Sequence, residues 1–171
     1  EETIVALAKQ RYSPAYICTG NVDHLRLVEI DKEFAKAYEM ADVVFADGMP
    51  IVWLSKLTQQ PIPERVAGSD MFWSIAKLSQ ENDFTVFLLG GNVGSAEAAV
   101  QAALSKFPRA KFVGTYCPPH ETFDAPEEQE RIKNAILAAN PDVLLVGLGA
   151  PKQEKWIAAN LTDLNVPLTM G

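Results

Sequence analysis

The sequence is poor in cysteine and has no long apolar run. Its two cysteines, Cys18 and Cys117, stand far apart in 171 residues, which is typical of a chain in a reducing cytosol rather than of a disulfide framework. No run of 18 apolar residues and no signal peptide are recognisable, so the sequence predicts neither a membrane span nor secretion. We therefore expect a cytoplasmic protein.

Basic residues and histidines are also scarce. Lysine and arginine number 15 against 22 acidic residues, giving a formal net charge of −7 with no basic stripe. Because clustered Lys and Arg drive binding to phosphate backbones, we expect no nucleic-acid partner. His24 has no second His or Cys at ligand spacing, and His120 shares its loop with Cys117 alone, which does not make a zinc site, so no metal site is predicted. His24 falls in the first turn of a predicted helix and is interpreted as a surface or capping residue.

The rest of the composition is that of one globular domain. Hydrophobic residues make up 48% and charged residues 22% of a chain long enough to bury a core. Strand-like runs alternate with helical periodicity, and no two-residue hairpin signal occurs. The sequence thus predicts a single α/β domain over 1–171, with a doubly wound, Rossmann-like, mostly parallel sheet of about five or six strands. The predicted strands are 15–19, 42–46, 84–89, 111–115, 143–146 and 166–171. The predicted helices are 3–12, 22–40, 51–57, 71–80, 95–107, 126–139 and 151–161.

The most informative segment is 142–155, DVLLVGLGAPKQEK. Its apolar run predicts a strand buried on both faces, and Gly147 and Gly149 follow where a backbone without Cβ can approach a ligand closely. Pro151 fits the first turn of the next helix, whose free N–H groups favour an anion. The polar residues of that turn are Lys152, Gln153 and Glu154. The segment predicts either a ligand site at the carboxyl edge of the sheet or a simple solvated turn.

Three further positions allow two interpretations each. Gly90 and Gly91 begin a strand–glycine–helix turn that could hold an anion, but the spacing GGxxG is not the GxGxxG fingerprint of dinucleotide sites. Asp47 ends a predicted strand, where it is either a reactive carboxylate or the cap of a helix beginning near Pro50. Arg65 either pairs with a surface carboxylate or holds a phosphate. The long loop 116–125 is of a kind that is often functional.

Four ordered segments resemble the WecG/TagA/CpsF glycosyltransferases, family 26. They are 19–24 (TGNVDH), 46–48 (ADG), 65–70 (RVAGSD) and 147–154 (GLGAPKQE), with 88–91 (LLGG) as a weaker fifth. The resemblance covers residues 15–171. It implies an inverting transferase that moves a sugar from a UDP-sugar to a polyprenyl-diphosphate-linked acceptor in bacterial cell-wall or surface-polysaccharide synthesis. It implies no metal or other cofactor, and work at the inner face of the cell membrane.

The resemblance also implies residue roles. Asp47 would be the general base for the acceptor hydroxyl, which shifts its interpretation from cap to catalyst, and Thr19 and Asn21 would line the same pocket. Gln153 would orient donor or acceptor, and Arg65 would hold the site or bind anionic groups. The remaining substrate-binding candidates are Gly90, Gly91, Gly147, Gly149, Pro151, Lys152 and Glu154.

Two departures from the family pattern accompany the match. Family members continue past the last strand into a glycine-rich turn and a basic C-terminal segment that meets the membrane. They also begin with a further strand. We therefore expect a truncated core whose uncovered apolar edge favours oligomers. The rival hypotheses are a Rossmann-like nucleotide or dinucleotide domain and a binding module that has lost turnover. Mannosaminyl, mannosaminuronosyl, glucosyl and glucuronosyl donors all stay open.

Overall fold

A computed structural model describes residues 1–10 and 13–171 of the chain. The strands are β1 (Ala15–Gly20), β2 (Val43–Ala46), β3 (Thr85–Gly90), β4 (Lys111–Tyr116), β5 (Val143–Gly147) and β6 (Leu168–Met170). The helices are α1 (Glu2–Lys9), α2 (Val22–Ile30), α3 (Lys32–Glu39), α4 (Met49–Ser55), α5 (Gly68–Asn82), α6 (Ser95–Lys106), α7 (Pro126–Ala139) and α8 (Lys152–Leu164). The predicted helix 3–12 corresponds to α1, and its last two predicted residues, Arg11 and Tyr12, lie outside the described residues.

Within the described residues, six strands form one open sheet in the order β2-β1-β6-β5-β3-β4, and every neighbouring pair is parallel. The predicted α/β class and strand number are therefore confirmed. Apolar side chains of α1, α5 and α6 pack on one face of the sheet, and those of α3, α7 and α8 pack on the other. Successive side chains of a strand point to opposite faces, so Ile17 joins the first core and Cys18 the second.

Two aspartates fix the beginnings of neighbouring strands. Asp42, just before β2, accepts a hydrogen bond from the Tyr16 N–H at the start of β1, 2.8 Å away. Asp142, just before β5, does the same for the Thr85 N–H at the start of β3, also at 2.8 Å. Both strand pairs therefore begin in register, and their carboxyl ends reach one edge of the sheet together.

Two predictions about the first half of the chain are wrong. The predicted helix 22–40 is two helices, because the Asp31 carboxylate accepts hydrogen bonds from the N–H groups of Glu33 and Phe34 and begins α3 anew. The apolar spacing places Ile30 on the inward face of the predicted helix, but after the break its side chain is 63% exposed. The predicted buried strand 42–46 is an edge strand, and its Val44 is 46% exposed.

The start predicted for α5 is also wrong. Ser69 or Asp70 is the cap expected for a helix that begins at 71, but the helix begins at Gly68, so both residues lie inside its first turn and Ala67 is the N-cap residue. The short predicted strand 111–115 is expected near an edge of the sheet, and β4 is an edge strand. Among the described helices, none combines the length and the apolar character needed to cross a membrane.

Candidate active site

An apolar cleft of about 360 Å³ opens at the carboxyl ends of β1, β3, β5 and β6. Parallel strands all end at this edge, which is where open α/β sheets bind ligands. Predicted site residues on its wall are Thr19, Gly90, Gly91, Gly147 and Gln153. Other wall residues are Gly68, Phe72, Leu88, Ser95, Ala96, Met170 and Gly171.

Asp47 lies behind the cleft wall, bonded to the wall residue Gly68. Its N–H donates to the Gly20 carbonyl oxygen at 2.7 Å, which extends the β1–β2 ladder by one residue. Its carboxylate Oδ2 accepts a hydrogen bond from the Gly68 N–H at 3.2 Å. The alternative that Asp47 caps the helix near Pro50 is wrong, because Gly48 is the N-cap residue of α4 and no side chain caps that helix among the described residues. Asp47 instead contacts the first N–H of α5.

Thr19 and Asp47 flank the same small space above Gly68. A side-chain carbon on Gly68 would lie 3.5 Å from Thr19 Oγ1 and 3.9 Å from Asp47 Oδ2. The Thr19 hydroxyl donates to the Gly171 carbonyl oxygen at 3.2 Å, and the Thr19 N–H donates to the same oxygen at 2.9 Å. A hydroxyl and a carboxylate are thus held by backbone contacts beside a position that has no side chain.

Gln153 also lies on the cleft wall, with both ends of its amide bonded. Its Oε1 accepts from the Gly149 N–H at 3.1 Å, and its Nε2 donates to Glu154 Oε1 at 3.0 Å. Pro151 precedes α8 as its N-cap residue, one position earlier than predicted. The glycine turn and the buried Glu154 therefore fix the orientation of the Gln153 side chain.

Two glycine turns meet at the floor of the cleft. The Gly91 N–H donates to the Gly147 carbonyl oxygen at 2.9 Å. Gly90 has a φ of 110°, and a Cβ there would overlap the same Gly147 carbonyl oxygen. Only glycine allows this approach, so the pairing of the LLGG and GLG segments depends on residues without side chains.

The N-termini of α5 and α6 both open on the cleft, through Gly68 and Ser95. Within the described residues, neither helix has a side-chain cap. Uncapped N–H groups and the helix dipole make each terminus attractive to an anion. The first N–H of each helix is already bonded, that of Gly68 to Asp47 and that of Ser95 to the Asn92 carbonyl oxygen, so an anion would meet the later N–H groups of the first turn.

A second cavity of about 540 Å³ shares Gly91 and Gly147 with the cleft. Gly149 and Lys152 lie on its wall together with the loop residue His120. The Lys152 ammonium stands 4.1 Å from the centroid of the Phe123 ring. The loop 116–125, predicted to be functional, therefore borders this second cavity. The Lys152 ammonium is the cation that lies beside the cleft.

Seven predicted site residues are not on the wall of this cleft: Asp47, Asn21, Arg65, Gly149, Pro151, Lys152 and Glu154. Asn21 is the N-cap residue of α2, and its Oδ1 accepts from the N–H groups of Asp23 and His24. Arg65 makes the surface pair that was one of its two alternatives, 3.2 Å from Asp70. Glu154 is 0% exposed and lies beneath Gln153.

Sequence reasoning missed several features. Gly68 and Ser95 stand at the first positions of helices, and the strand–turn–helix pattern before each was the available signal. The interpretation of His24 as a surface residue or cap is wrong, because Asn21 is the cap and His24 is 3% exposed. Beside His24 lies Cys18, and burial raises the pKa of its thiol to about 11.

Comparison with known proteins agrees with these motifs. Relatives from Staphylococcus aureus strains NCTC 8325 / PS 47, COL and MRSA252 are each 28% identical over 164 residues, which is 96% of this chain and 62% of theirs. Each is named an N-acetylglucosaminyldiphosphoundecaprenol N-acetyl-beta-D-mannosaminyltransferase. The chain thus spans about three fifths of the length of these relatives. The sequence model of one family matches all of residues 1–171, and this chain therefore belongs to the glycosyl transferase WecG/TagA/CpsF family.

Proposed function

We propose that this chain is the core of a glycosyltransferase that moves N-acetylmannosamine from a UDP-sugar to a polyprenyl-diphosphate-linked N-acetylglucosamine. The acceptor and the transferred sugar in this proposal are those given in the name of the relatives. The observation that carries the proposal is the space where Thr19 and the Asp47 carboxylate flank Gly68, in a cleft whose wall also carries Gly90, Gly147 and the first residue of α6. A candidate base and a candidate anion site thus border one cleft.

The proposed reaction is a single displacement. The acceptor oxygen attacks the anomeric carbon of the donor while its proton passes to the Asp47 carboxylate. The bond between the anomeric carbon and the diphosphate oxygen breaks, and its electron pair leaves with UDP. One displacement inverts the anomeric centre. The Gly68 N–H holds Oδ2 of Asp47, and no described residue donates to the other carboxylate oxygen, which is therefore available to take the proton.

The leaving diphosphate gains negative charge in the transition state, so fixed N–H groups near it lower the barrier. The N-terminus of α6 supplies such groups on the cleft wall. Lys152 adds a cation in the adjoining cavity. We therefore propose that transfer needs no divalent metal at the diphosphate.

The lipid tail of the acceptor is proposed to stay in the membrane, with the enzyme bound at its cytoplasmic face. Helix α4 follows Asp47 directly and leads into the exposed side chains of Trp53, Leu54 and Leu57, which are 59%, 52% and 86% exposed. Exposed apolar side chains of this kind favour contact with a membrane or another apolar surface. They lie next to the proposed base, where an acceptor hydroxyl attached to a lipid would arrive.

The test compares Asp47→Asn with Asp70→Asn, in a form of the protein that spans the full length of the relatives. Asn at 47 can still accept the Gly68 N–H but cannot take a proton, so turnover should fall by about 10²–10⁴-fold. Asp70 is an exposed acid in the first turn of α5, the helix whose first N–H bonds to Asp47. The Asp70→Asn variant should keep turnover. UDP release from UDP-N-acetylmannosamine is the assay, with and without EDTA.

A ligand panel separates this proposal from its rivals. UDP at about 100 times its dissociation constant should stabilise the fold by about 2.7 kcal/mol, which thermal unfolding detects as several degrees. Stabilisation by NAD and not by UDP would favour a dinucleotide domain. Binding of UDP with no turnover in the full-length form would favour a binding module. An active Asp47→Asn variant would refute the assignment of the base.

A further inference from the structure

A cluster of ligand-type side chains lies inside the protein, on the sheet face opposite the cleft. Cys18 comes from β1, His24 from the first turn of α2 and Glu154 from the first turn of α8. Their exposed fractions are 0%, 3% and 0%. Thr19 faces the cleft, and strand alternation therefore turns its neighbour Cys18 to the other side.

The atoms of this cluster that can bind a metal converge. The Cys18 sulfur, one ring nitrogen of His24 and one carboxylate oxygen of Glu154 all lie within 4.8 Å of one another. His24 Nδ1 and Glu154 Oε2 are buried and have no hydrogen-bond partner. Buried polar atoms are nearly always satisfied in native proteins, and a bound ion is one accepted reason for an exception.

We propose that Cys18, His24 and Glu154 bind a divalent transition-metal ion, with Zn²⁺ as the preferred ion. Thiolate, imidazole and carboxylate are the three ligand types that zinc takes in proteins. Zinc with one thiolate, one carboxylate and a neutral imidazole carries no net charge, which suits a site without solvent. Binding releases the Cys18 thiol proton to solvent as the sulfur–zinc bond forms.

The spacing of the cluster fits this ion with a small closure. Zinc bonds of about 2.0–2.3 Å place tetrahedral ligand atoms about 3.3–3.8 Å apart, so the three side chains need to close by about an ångström. The Tyr16 hydroxyl, which is buried without a hydrogen-bond partner and lies beside the Cys18 sulfur, is available as a fourth ligand.

The site would join parts of the fold that support the cleft. It links the consecutive elements β1 and α2 to α8, which lies far away in the chain. The other oxygen of Glu154 accepts from Gln153 Nε2, so a metal bound to Glu154 would also fix the Gln153 amide on the cleft wall. The metal would act as a structural ion, and the proposal does not depend on the reaction assigned to the cleft.

The chain offers a matched control because it has only two cysteines and two histidines. The double variant Cys117→Ser/His120→Gln leaves Cys18 and His24 as the sole Cys and His. Its partner is Cys18→Ser/His24→Gln. Each protein is produced in medium supplemented with zinc or with cobalt, and its bound metal is measured by elemental analysis. Cobalt also reports thiolate ligation by its charge-transfer absorption in the near ultraviolet.

We expect about one metal ion per chain in the wild type and in the Cys117→Ser/His120→Gln variant. The Cys18→Ser/His24→Gln variant should bind metal at least about 10-fold more weakly and lose the thiolate–cobalt absorption. If that variant does not fold, X-ray absorption of the zinc form of the other variant decides, with one sulfur neighbour expected at about 2.3 Å. A wild type without bound metal, or a spectrum without a sulfur neighbour, would overturn the proposal in favour of a hydrogen-bonded His24–Glu154 pair.

Discussion

Gly90→Ala tests whether the close approach of two glycine turns builds the floor of the cleft. Gly90 has a φ of 110°, and an added Cβ would overlap the backbone carbonyl oxygen of Gly147. That oxygen accepts the Gly91 N–H at 2.9 Å, so it cannot move away without breaking the contact between β3 and β5. The substitution therefore combines backbone strain with a collision against backbone.

The magnitude follows from comparison with two other glycines. Strain at an unfavourable φ costs about 1–3 kcal/mol and overpacking about 1–3 kcal/mol more, so Gly90→Ala should lose about 2–6 kcal/mol. Gly94 has a φ of 80° with no atom within 4 Å of an added Cβ, and its Ala variant should lose only about 1–2 kcal/mol of strain. At Gly68 the added carbon makes ordinary contacts, and stability should change by less than about 1 kcal/mol.

Urea unfolding of the three variants at one pH measures these differences. Because native stability is about 5–15 kcal/mol, Gly90→Ala should lower the midpoint strongly or prevent folding. The Gly68→Ala variant should fold as the wild type does but weaken ligand binding, since its new methyl group fills the space between Thr19 and Asp47. Equal midpoints for Gly90→Ala and Gly94→Ala would show that the collision with Gly147 is absent and would refute the reasoning.

Three further predictions concern local contacts and burial. Asn21→Ala should lower the free energy of unfolding by about 1 kcal/mol, because the Oδ1 cap of α2 is lost. Asn21→Asp keeps an acceptor and should leave the free energy of unfolding unchanged, and denaturant unfolding distinguishes the two variants. In the metal-free chain at pH 8, a thiol reagent should modify the half-buried Cys117 and spare the buried Cys18 until the chain unfolds, so two reactive thiols in the native state would contradict the burial. Because burial raises the pKa of the Cys18 thiol from 9.0 to about 11, the stability that this group contributes is present below pH 9 and lost as the pH rises toward 11. Unfolding of the wild type and Cys18→Ser at pH 8 and above pH 10 measures that loss.

The fold class could be predicted because the relevant signals are local. Continuous apolar runs predicted β3 and β5 to within one residue of their observed bounds, Thr85–Gly90 and Val143–Gly147. Helix α7 begins and ends where its periodicity predicted, at Pro126–Ala139. Alternation of such segments without hairpin signals leaves few topologies other than a parallel sheet.

Local signals fail where two interpretations share one pattern. The apolar spacing of 22–40 continues across Asp31, so only the observed cap at Asp31 and its ion pair with Lys155 of α8 reveal two helices. Strand 42–46 reads as buried because its residues are apolar, yet its place at the sheet edge follows from the order of all six described strands. Edge position is a property of the whole sheet and is not encoded in the strand.

The sequence by itself determined the chain's α/β class, the two glycine turns and the family motifs, because each depends on residues within a few positions of one another. Only the tertiary structure decided that Asp47 bonds to Gly68, that Arg65 pairs with Asp70, and that Cys18 and Glu154 meet across 136 positions of sequence. The Cys18–Glu154 contact forms because β1 lies beside β6 and α8 packs against β1, so the sheet order brings these distant segments together. No local pattern specifies that order, which results from the burial of all strands and helices at once.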